Sequence, residues 1–413
     1  MKIFIVTDDY MPNSIKVGAK MLHELSCELV KQGNEVTVLT PGPYQKENLI
    51  HISLDDVNIL KFKSNEIKNI SKYKRAINES LLSLQAYRAT KEYCKKNRHD
   101  LIIYYSPSIF FGHFVKQLKK MWRAKSYLIL RDIFPQWAVD QGIIKKNSTV
   151  EKYFNYFENI NYEAADTIGL MSKANLQWFK KHKRVSAKLE ILPNWASATP
   201  VSSTSKYRKK LNLEDKVIYF YGGNMGHAQD MMNIVRLAKR MQIHKEAHFL
   251  LVGAGDEVDL IKDAIKKYNL SNITLLPAVS QHEFKLMLAE ADVGLFTLHK
   301  EHKTHNFPGK LLGYMVQSMP ILGSVNPNND LQNVIEEANA GFVTINGEDQ
   351  KLYENAKVLL NADLRKIIGS NAKALLDTTF SINAVIDKIM PNRDIKIYKT
   401  PFYRVKNHIF TSN

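Results

Sequence analysis

Short apolar runs alternate along this chain with stretches whose apolar positions recur every three or four residues. Ile3-Phe4-Ile5-Val6 is too short for a helix and is read as a buried strand. Val17, Met21, Leu25 and Leu29 then mark one face of a helix that stops at Gly33, and EVTVLT (35–40) returns to strand character. Strand, loop, helix, strand is a βαβ opening, which predicts a parallel sheet with helices on its faces. The alternation continues through DLIIYYS (100–106), SYLILRD (126–132), DTIGLMS (166–172) and LEILPNW (189–195). Small, unpatterned polar residues follow in ASATPVSSTSKYRKK (196–210), a linker composition. The alternation then restarts: KVIYFYG, a helix from about Gln229, AHFLLVG, a helix after Asp256, NITLLP, a helix near 280–290, and DVGLFTL. The expected fold is α/β, two Rossmann-like doubly wound parallel-sheet domains with a ligand cleft between the carboxyl ends of their strands. The boundaries read as 1–195, a linker at 196–212, 213–379, and a basic helical tail at 380–413 that could pack back on the first domain.

Length agrees, since 413 residues exceed one ordinary core. A hydrophobic share of 45% with 24% charged residues is globular rather than disordered. Cys27 and Cys94 are too few and too far apart for a disulfide framework or a zinc site, and Cys27 reads as a buried thiol. No stretch reaches the roughly 18–20 apolar residues of a spanning helix, so a cytoplasmic protein is expected. Charge changes the picture more. The chain carries +17, and residues 1–200 hold 31 Lys/Arg against 19 Asp/Glu, so most of the excess lies in the first half. An anionic partner follows, either nucleic acid or a membrane surface. FFGHFVKQLKKMWRAK (110–125) sets Lys119, Lys120 and Arg123 beside Trp122 and three phenylalanines. This is either an interfacial surface or a solvated basic face over a core-facing stripe, and the pattern alone does not choose. No recognisable nucleic-acid module is present, which disfavours the nucleic-acid reading.

THNFPGKLLGYMVQSMPILGS (304–324) carries the candidate chemistry. Pro308 suits a first helical turn, and Leu311, Leu312 and Met315 give a helix face. Gly309 and Lys310 in that first turn leave bare backbone N–H groups and a cation, which suit a visiting anion. Two further strand–loop–helix junctions, YGGNMGHAQD (221–230) and PNSIKVGAK (12–20), are rich in backbone N–H groups, and together the three suit a diphosphate. VGAGDEV (252–258) lacks the third glycine of a dinucleotide fingerprint and reads as a tight turn. Asp8-Asp9 and Asp55-Asp56 have no third ligand at a useful spacing, and His299, His302 and His305 sit among lysines, so no metal site is expected.

From DDYMPNSIKVGAKMLHELSCELVKQGNEVTVLT through RDIFPQWAVDQG, ILPNW, YGGNMGHAQDM, LLVGAGDE and EADVGLFTL to FPGKLLGYM, the chain resembles the GT-B-fold glycosyltransferases of family 4. Within that retaining group it is similar to the L-fucosamine transferases of O-antigen clusters. The resemblance implies transfer of N-acetyl-L-fucosamine or a related N-acetylated deoxyhexosamine from a UDP-sugar to a saccharide on undecaprenyl diphosphate. It implies no metal and no cofactor beyond the UDP-sugar co-substrate. The enzyme would sit in the cytoplasm, peripherally on the anionic inner face of the membrane, with no nucleic-acid partner. Donor contacts would come from Gly18, Gly223, Asn224, Gln229, Pro277, Val279, Phe307, Gly309 and Lys310, with uracil against the backbone of 276–279. Asp132, Lys310 and His305 would be catalytic, Asp132 orienting the acceptor and Lys310 countering charge on the leaving diphosphate. Lys119, Lys120, Trp122 and Arg123 would face the membrane and acceptor. Two family glutamates are replaced here by His305 and Gly313, and a family arginine and lysine by Asn224 and Gln229. A sugar-nucleotide epimerase of the same shape, or a non-catalytic binder, is the alternative.

Overall fold

The computed structural model describes residues 1–391 apart from 15, 302–306 and 328. It divides into two compact units. One holds Met1–Pro193 and takes up the chain again from Val385; the other holds Asn194–Ala384.

In the first unit the strands are β1 (Lys2–Val6), β2 (Glu35–Gly42), β3 (Leu49–Leu54), β4 (Val57–Lys63), β5 (Leu101–Ser106), β6 (Lys125–Leu130), β7 (Thr167–Leu170) and β8 (Lys188–Ile191). They form one sheet in the order β3-β4-β2-β1-β5-β6-β7-β8. All pairings are parallel except β3 with β4, an edge hairpin turned by Asp55 and Asp56 at φ 50° and 62°. Positive φ at both central residues is what a tight hairpin needs, and aspartate tolerates it. The helices are α1 (Val17–Lys31), α2 (Lys72–Ser80), α3 (Leu82–Lys96), α4 (Gly112–Trp122), α5 (Gln136–Asp140), α6 (Thr149–Glu163) and α7 (Lys173–His182). Along α4 the spacing of Phe114, Val115, Leu118 and Trp122 turns one stripe inward, and all four are buried against Phe4, Tyr104 and Leu128.

The second unit is wholly parallel. Its strands β9 (Val217–Asn224), β10 (Ala247–Ala254), β11 (Ile273–Leu276), β12 (Val293–Thr297), β13 (Ile321–Val325) and β14 (Gly341–Ile345) run in the order β11-β10-β9-β12-β13-β14. The helices are α8 (Lys206–Lys210), α9 (Met231–Met241), α10 (Val258–Lys267), α11 (Gln281–Leu288), α12 (Lys310–Val316), α13 (Leu331–Glu337), α14 (Asp349–Val358) and α15 (Ala362–Leu375); α16 (Ile382–Ile389) starts here and, from Val385, belongs to the first unit. The strand order turns back between β9 and β12, the switch point at which sheets of this type open a ligand crevice.

Residues 196–212, expected as a linker, carry α8 and are built into this unit. The Glu290 carboxylate accepts from the Tyr207 and Arg208 amides, both at 2.9 Å, and Arg208 pairs with Asp292. Tyr207 is buried. A polar sequence hid these contacts because its partners lie some eighty residues on. Two glycines make room for close approach. A Cβ on Gly294 would sit 2.3 Å from the Tyr314 ring, and Tyr314 anchors α12 by donating to Leu295 O at 2.8 Å. A Cβ on Gly253 would sit 1.9 Å from Gly223 O, so β9 and β10 touch backbone to backbone at their carboxyl ends.

Candidate active site

Lys310 begins α12 and reaches back to β9. Its Nζ lies 3.5 Å from the centroid of the Tyr221 ring and 3.8 Å from where a Gly223 Cβ would be. Gly223, at φ 118°, leaves that space open. The aromatic face attracts the ammonium, but no described residue gives it a carboxylate or a hydrogen bond. Loss of water without a counter-charge pushes its pKa down to about 7. Lys310 is thus a lysine without a counter-charge among the described residues, placed beside the point where the strand order reverses. Tyr221 keeps its own place by donating to Asn224 O, and burial raises its pKa.

The neighbouring loop is braced rather than free. The Asn224 side-chain amide donates to Gln229 Oε1 at 2.7 Å, and Gly226 N donates to the same oxygen at 3.2 Å. Met225 N donates to Ala254 O and Glu257 N to Met225 O, both at 2.9 Å, which ties the β9 loop to the β10 loop. Gly255 serves that junction, since a Cβ there would meet Met225 O at 2.2 Å. VGAGDEV is thus a packed strand-to-helix turn. Gly309 caps α12 with nothing within 4 Å of its Cβ position, whereas the Leu311 and Leu312 amides already donate to Pro308 O and Gly309 O. The expected row of outward N–H groups therefore narrows to the first two residues of the turn.

The remaining expected residues are placed as follows. The Phe307 ring lies tilted against that of Phe380, centroids 4.6 Å apart, and belongs to the core edge. Pro277 is exposed just past β11, and Val279 packs against the same core. Gly313 lies within α12, 3.2 Å from Leu288 at its Cβ position. His305 lies outside the described residues, as does His302; His299 donates its amide to Ala228 O and its ring stands 4.9 Å from that of His227.

Gly18 and Asp132 belong to the first unit. A Cβ on Gly18 would meet the Tyr105 hydroxyl at 3.1 Å, so the glycine admits that ring. Asp132 follows β6 and lines a cavity of about 540 Å³ with Asp8 and Glu79. Burial raises the pKa of all three carboxyls, against Arg131 at Asp132 and Arg75 at Glu79, and with help from Asp9 at Asp8. The buried Arg131 guanidinium donates to Leu192 O at 2.7 Å and Pro193 O at 3.1 Å. Glu79 and Tyr221 escaped the sequence reading; Tyr221 alternates with Tyr219 on a quoted strand, and that alternation was the available signal.

One expectation is corrected outright. Trp122 is 2% exposed, with its indole N–H donating to Cys94 O at 2.8 Å, and Phe110, Phe111 and Phe114 are buried with it. The aromatic part of 110–125 is core, so it cannot meet a membrane. Lys120 and Arg123 are exposed, while Lys119 pairs with Asp166 at 3.0 Å. Cys27 is only half-buried, and with His23 and Asp55 it forms a cluster whose possible ligand atoms lie within 4.8 Å of one another. His23 Nε2 already pairs with Asp55 at 2.9 Å and Nδ1 with the Tyr10 hydroxyl at 3.0 Å, so this cluster is internally satisfied. No helix among the described residues is long and apolar enough to cross a membrane.

Two successive α/β units built on parallel sheets, the second reversing its strand order between β9 and β12, give the GT-B fold shared with solved glycosyltransferases. Residues 203–375, within the second unit, match the model of the family described as glycosyl transferases group 1. The chain is 23% identical over 222 residues to WbjE of Pseudomonas aeruginosa, named as a glycosyltransferase; this covers 53% of the chain and 55% of that protein, about half its length. It is 23% identical over 337 residues to WcaI of Escherichia coli K12, named as a glycosyl transferase of colanic acid biosynthesis, covering 75% of the chain and 80% of WcaI. Among solved structures, Anabaena HepE in complex with UDP superposes with a TM-score of 0.63 at 14% identity, over 95% of this chain and 99% of that one.

Proposed function

We propose that the protein is a retaining glycosyltransferase that uses a UDP-sugar and acts in bacterial surface-polysaccharide assembly. The observation that carries this is Lys310, half-desolvated over Tyr221 beside the open face of Gly223, with no counter-charge among the described residues. A nucleoside diphosphate supplies the missing charge. Its departure from the sugar places negative charge where the ammonium already stands, so stabilisation grows as the bond breaks. The relatives' names and the UDP complex of HepE support the donor and the pathway class.

Donor sugar and acceptor follow from the resemblance: N-acetyl-L-fucosamine, moved onto a saccharide carried by undecaprenyl diphosphate at the inner face of the membrane. The scheme needs neither metal nor cofactor. Asp132 orients the acceptor hydroxyl, and the departing diphosphate accepts its proton.

Thermal-shift titration with UDP, GDP and TDP on the wild type and Lys310→Ala, followed by UDP release with lipid-linked acceptor, tests the proposal. Selective stabilisation by UDP, lost in the variant, with acceptor-dependent release is expected. Turnover of UDP-sugar without acceptor would instead mark an epimerase, and absence of any nucleotide effect would refute the donor site.

A further inference from the structure

At the β3–β4 edge of the first unit, three side chains that can ligate a metal face one another. His23 and Cys27 stand four residues apart on α1 and so project from one face of that helix. That helix packs on β2 and β4, and the β3–β4 turn carries Asp55 to the same face. Cys27 Sγ lies 3.6 Å from His23 Nε2, and Asp55 Oδ2 lies 2.9 Å from the same nitrogen. All three ligand atoms fall within 4.8 Å of one another. His23 is buried and Cys27 half-buried, whereas the Asp55 side chain is 67% exposed, so the group opens to solvent on one side. Behind it the Tyr10 hydroxyl lies 3.0 Å from His23 Nδ1, with the Ser26 hydroxyl beside it.

We propose that His23, Cys27 and Asp55 bind a thiophilic divalent cation, Zn²⁺ by its chemistry, with water in the fourth position. Bonds of about 2.3 Å to sulfur and about 2.0–2.1 Å to nitrogen set a tetrahedral S···N edge of about 3.6 Å. Cys27 Sγ and His23 Nε2 already stand at that spacing. The N···O edge of such a site is about 3.3 Å, so Asp55 need withdraw by only about 0.4 Å, a small step for an exposed turn carboxylate. Charge closes too, since a thiolate and a carboxylate neutralise a divalent ion while the imidazole stays neutral. Sulfur and imidazole disfavour Mg²⁺ and Ca²⁺, which take oxygen ligands. The hydrogen bonds within the group hold its protonated form, in which Nε2–H donates to Asp55. Metal binding moves that proton to Nδ1, and the Tyr10 hydroxyl serves both states because it donates to a bare nitrogen and accepts from N–H. Tyr10 then orients the ring from behind, as the partners of metal-bound histidines do. The Cys27 thiol loses its proton to solvent as the sulfur–metal bond forms. Burial, and after it Asp55, raises that thiol's pKa, so the proton is there to be released at neutral pH. The bound ion would clip α1 to the edge hairpin across 32 residues of chain.

The test uses the full chain, stripped with a chelator and titrated with Co²⁺, Zn²⁺ and Mg²⁺. One Co²⁺ per chain should bind with a thiolate-to-metal charge-transfer band, and Zn²⁺ should displace it. Cys94 is buried in the core, so that band reports Cys27. Calorimetry should read release of about one proton per Zn²⁺ at neutral pH. Mg²⁺ should bind at least about 100-fold more weakly than Zn²⁺. His23 is buried, so the variants that carry the test are Cys27→Ser and Asp55→Asn. Cys27→Ser should remove the band and weaken Zn²⁺ at least about 100-fold. Asp55→Asn keeps the turn, because asparagine also takes positive φ, and should weaken Zn²⁺ at least about tenfold. Tyr10→Phe leaves every ligand in place and should weaken Zn²⁺ about tenfold with the band intact. Zinc uptake without a cobalt charge-transfer band would place the ion on surface histidines and overturn the inference. So would a band that survives Cys27→Ser, wild-type Zn²⁺ affinity in Asp55→Asn, or Mg²⁺ binding as tight as Zn²⁺.

Discussion

Binding of UDP should draw a proton onto Lys310. Desolvation brings this lysine from an ordinary 10.5 to about 7, a difference of about 5 kcal/mol at most between its charged and neutral forms. At about pH 8 only about one lysine in ten is then charged in the free protein. A diphosphate placed against Nζ reverses the balance, because an adjacent anion favours the ammonium. Uptake of about 0.9 proton per UDP follows at that pH, and affinity should weaken about tenfold per pH unit above 7. The nucleotide's own terminal phosphate, with a pKa of about 6, is already deprotonated there and contributes little. Calorimetry in two buffers of different ionisation enthalpy reads the uptake directly. Lys310→Met should abolish it and weaken UDP, whereas Lys310→Arg should abolish it while keeping a charge, since arginine does not titrate. Equal proton uptake in wild type and Lys310→Met would refute the reasoning, because the proton would then belong to another group.

Further outcomes concern the frame around the site. Gly253→Ala forces a Cβ onto Gly223 O, 1.9 Å away, and should cost about 3 kcal/mol in urea denaturation together with UDP affinity. His248 is buried and held neutral, its pKa pushed down to about 4 by desolvation and then by Lys216. The unfolded chain takes up that proton first, so stability should fall by up to about 3 kcal/mol as pH drops from 6.5 towards 4, and His248→Gln should flatten this slope. Glu158, fully buried and paired with Lys183, should cost about 2–3 kcal/mol when replaced by alanine, because the part-buried Lys183 ammonium and the buried Tyr162 hydroxyl lose their acceptor. Chemical denaturation of the single variants checks both.

The alternation of short apolar runs with helical spacing was enough to place most parallel strands, because fully buried strands are apolar on both faces. The β3–β4 hairpin went unread, since its turn uses Asp55-Asp56 rather than a glycine and its strands mix polar with apolar positions. Lys310 was legible as a misfit, a cation in a helix first turn. Its partner Tyr221 was not, because the pair meets only through the β9–β12 adjacency across 89 residues of chain. The 110–125 segment failed for a different reason: an interfacial helix and a core-packed surface helix share one period, and only burial of Trp122 separates them.

The welding of the β9 and β10 loops through Met225, Ala254 and Glu257 has a bearing on how the second unit breathes. Tyr221 and Gly223 stand on the central strand β9, and α12 follows the neighbouring strand β12, so the Lys310 site is lost when the sheet comes apart. Any ligand seated there draws its stabilisation from the cooperative unfolding of the whole sheet. Its occupancy should therefore slow amide exchange in the inner strands β9 and β10, rather than only in the loops it touches.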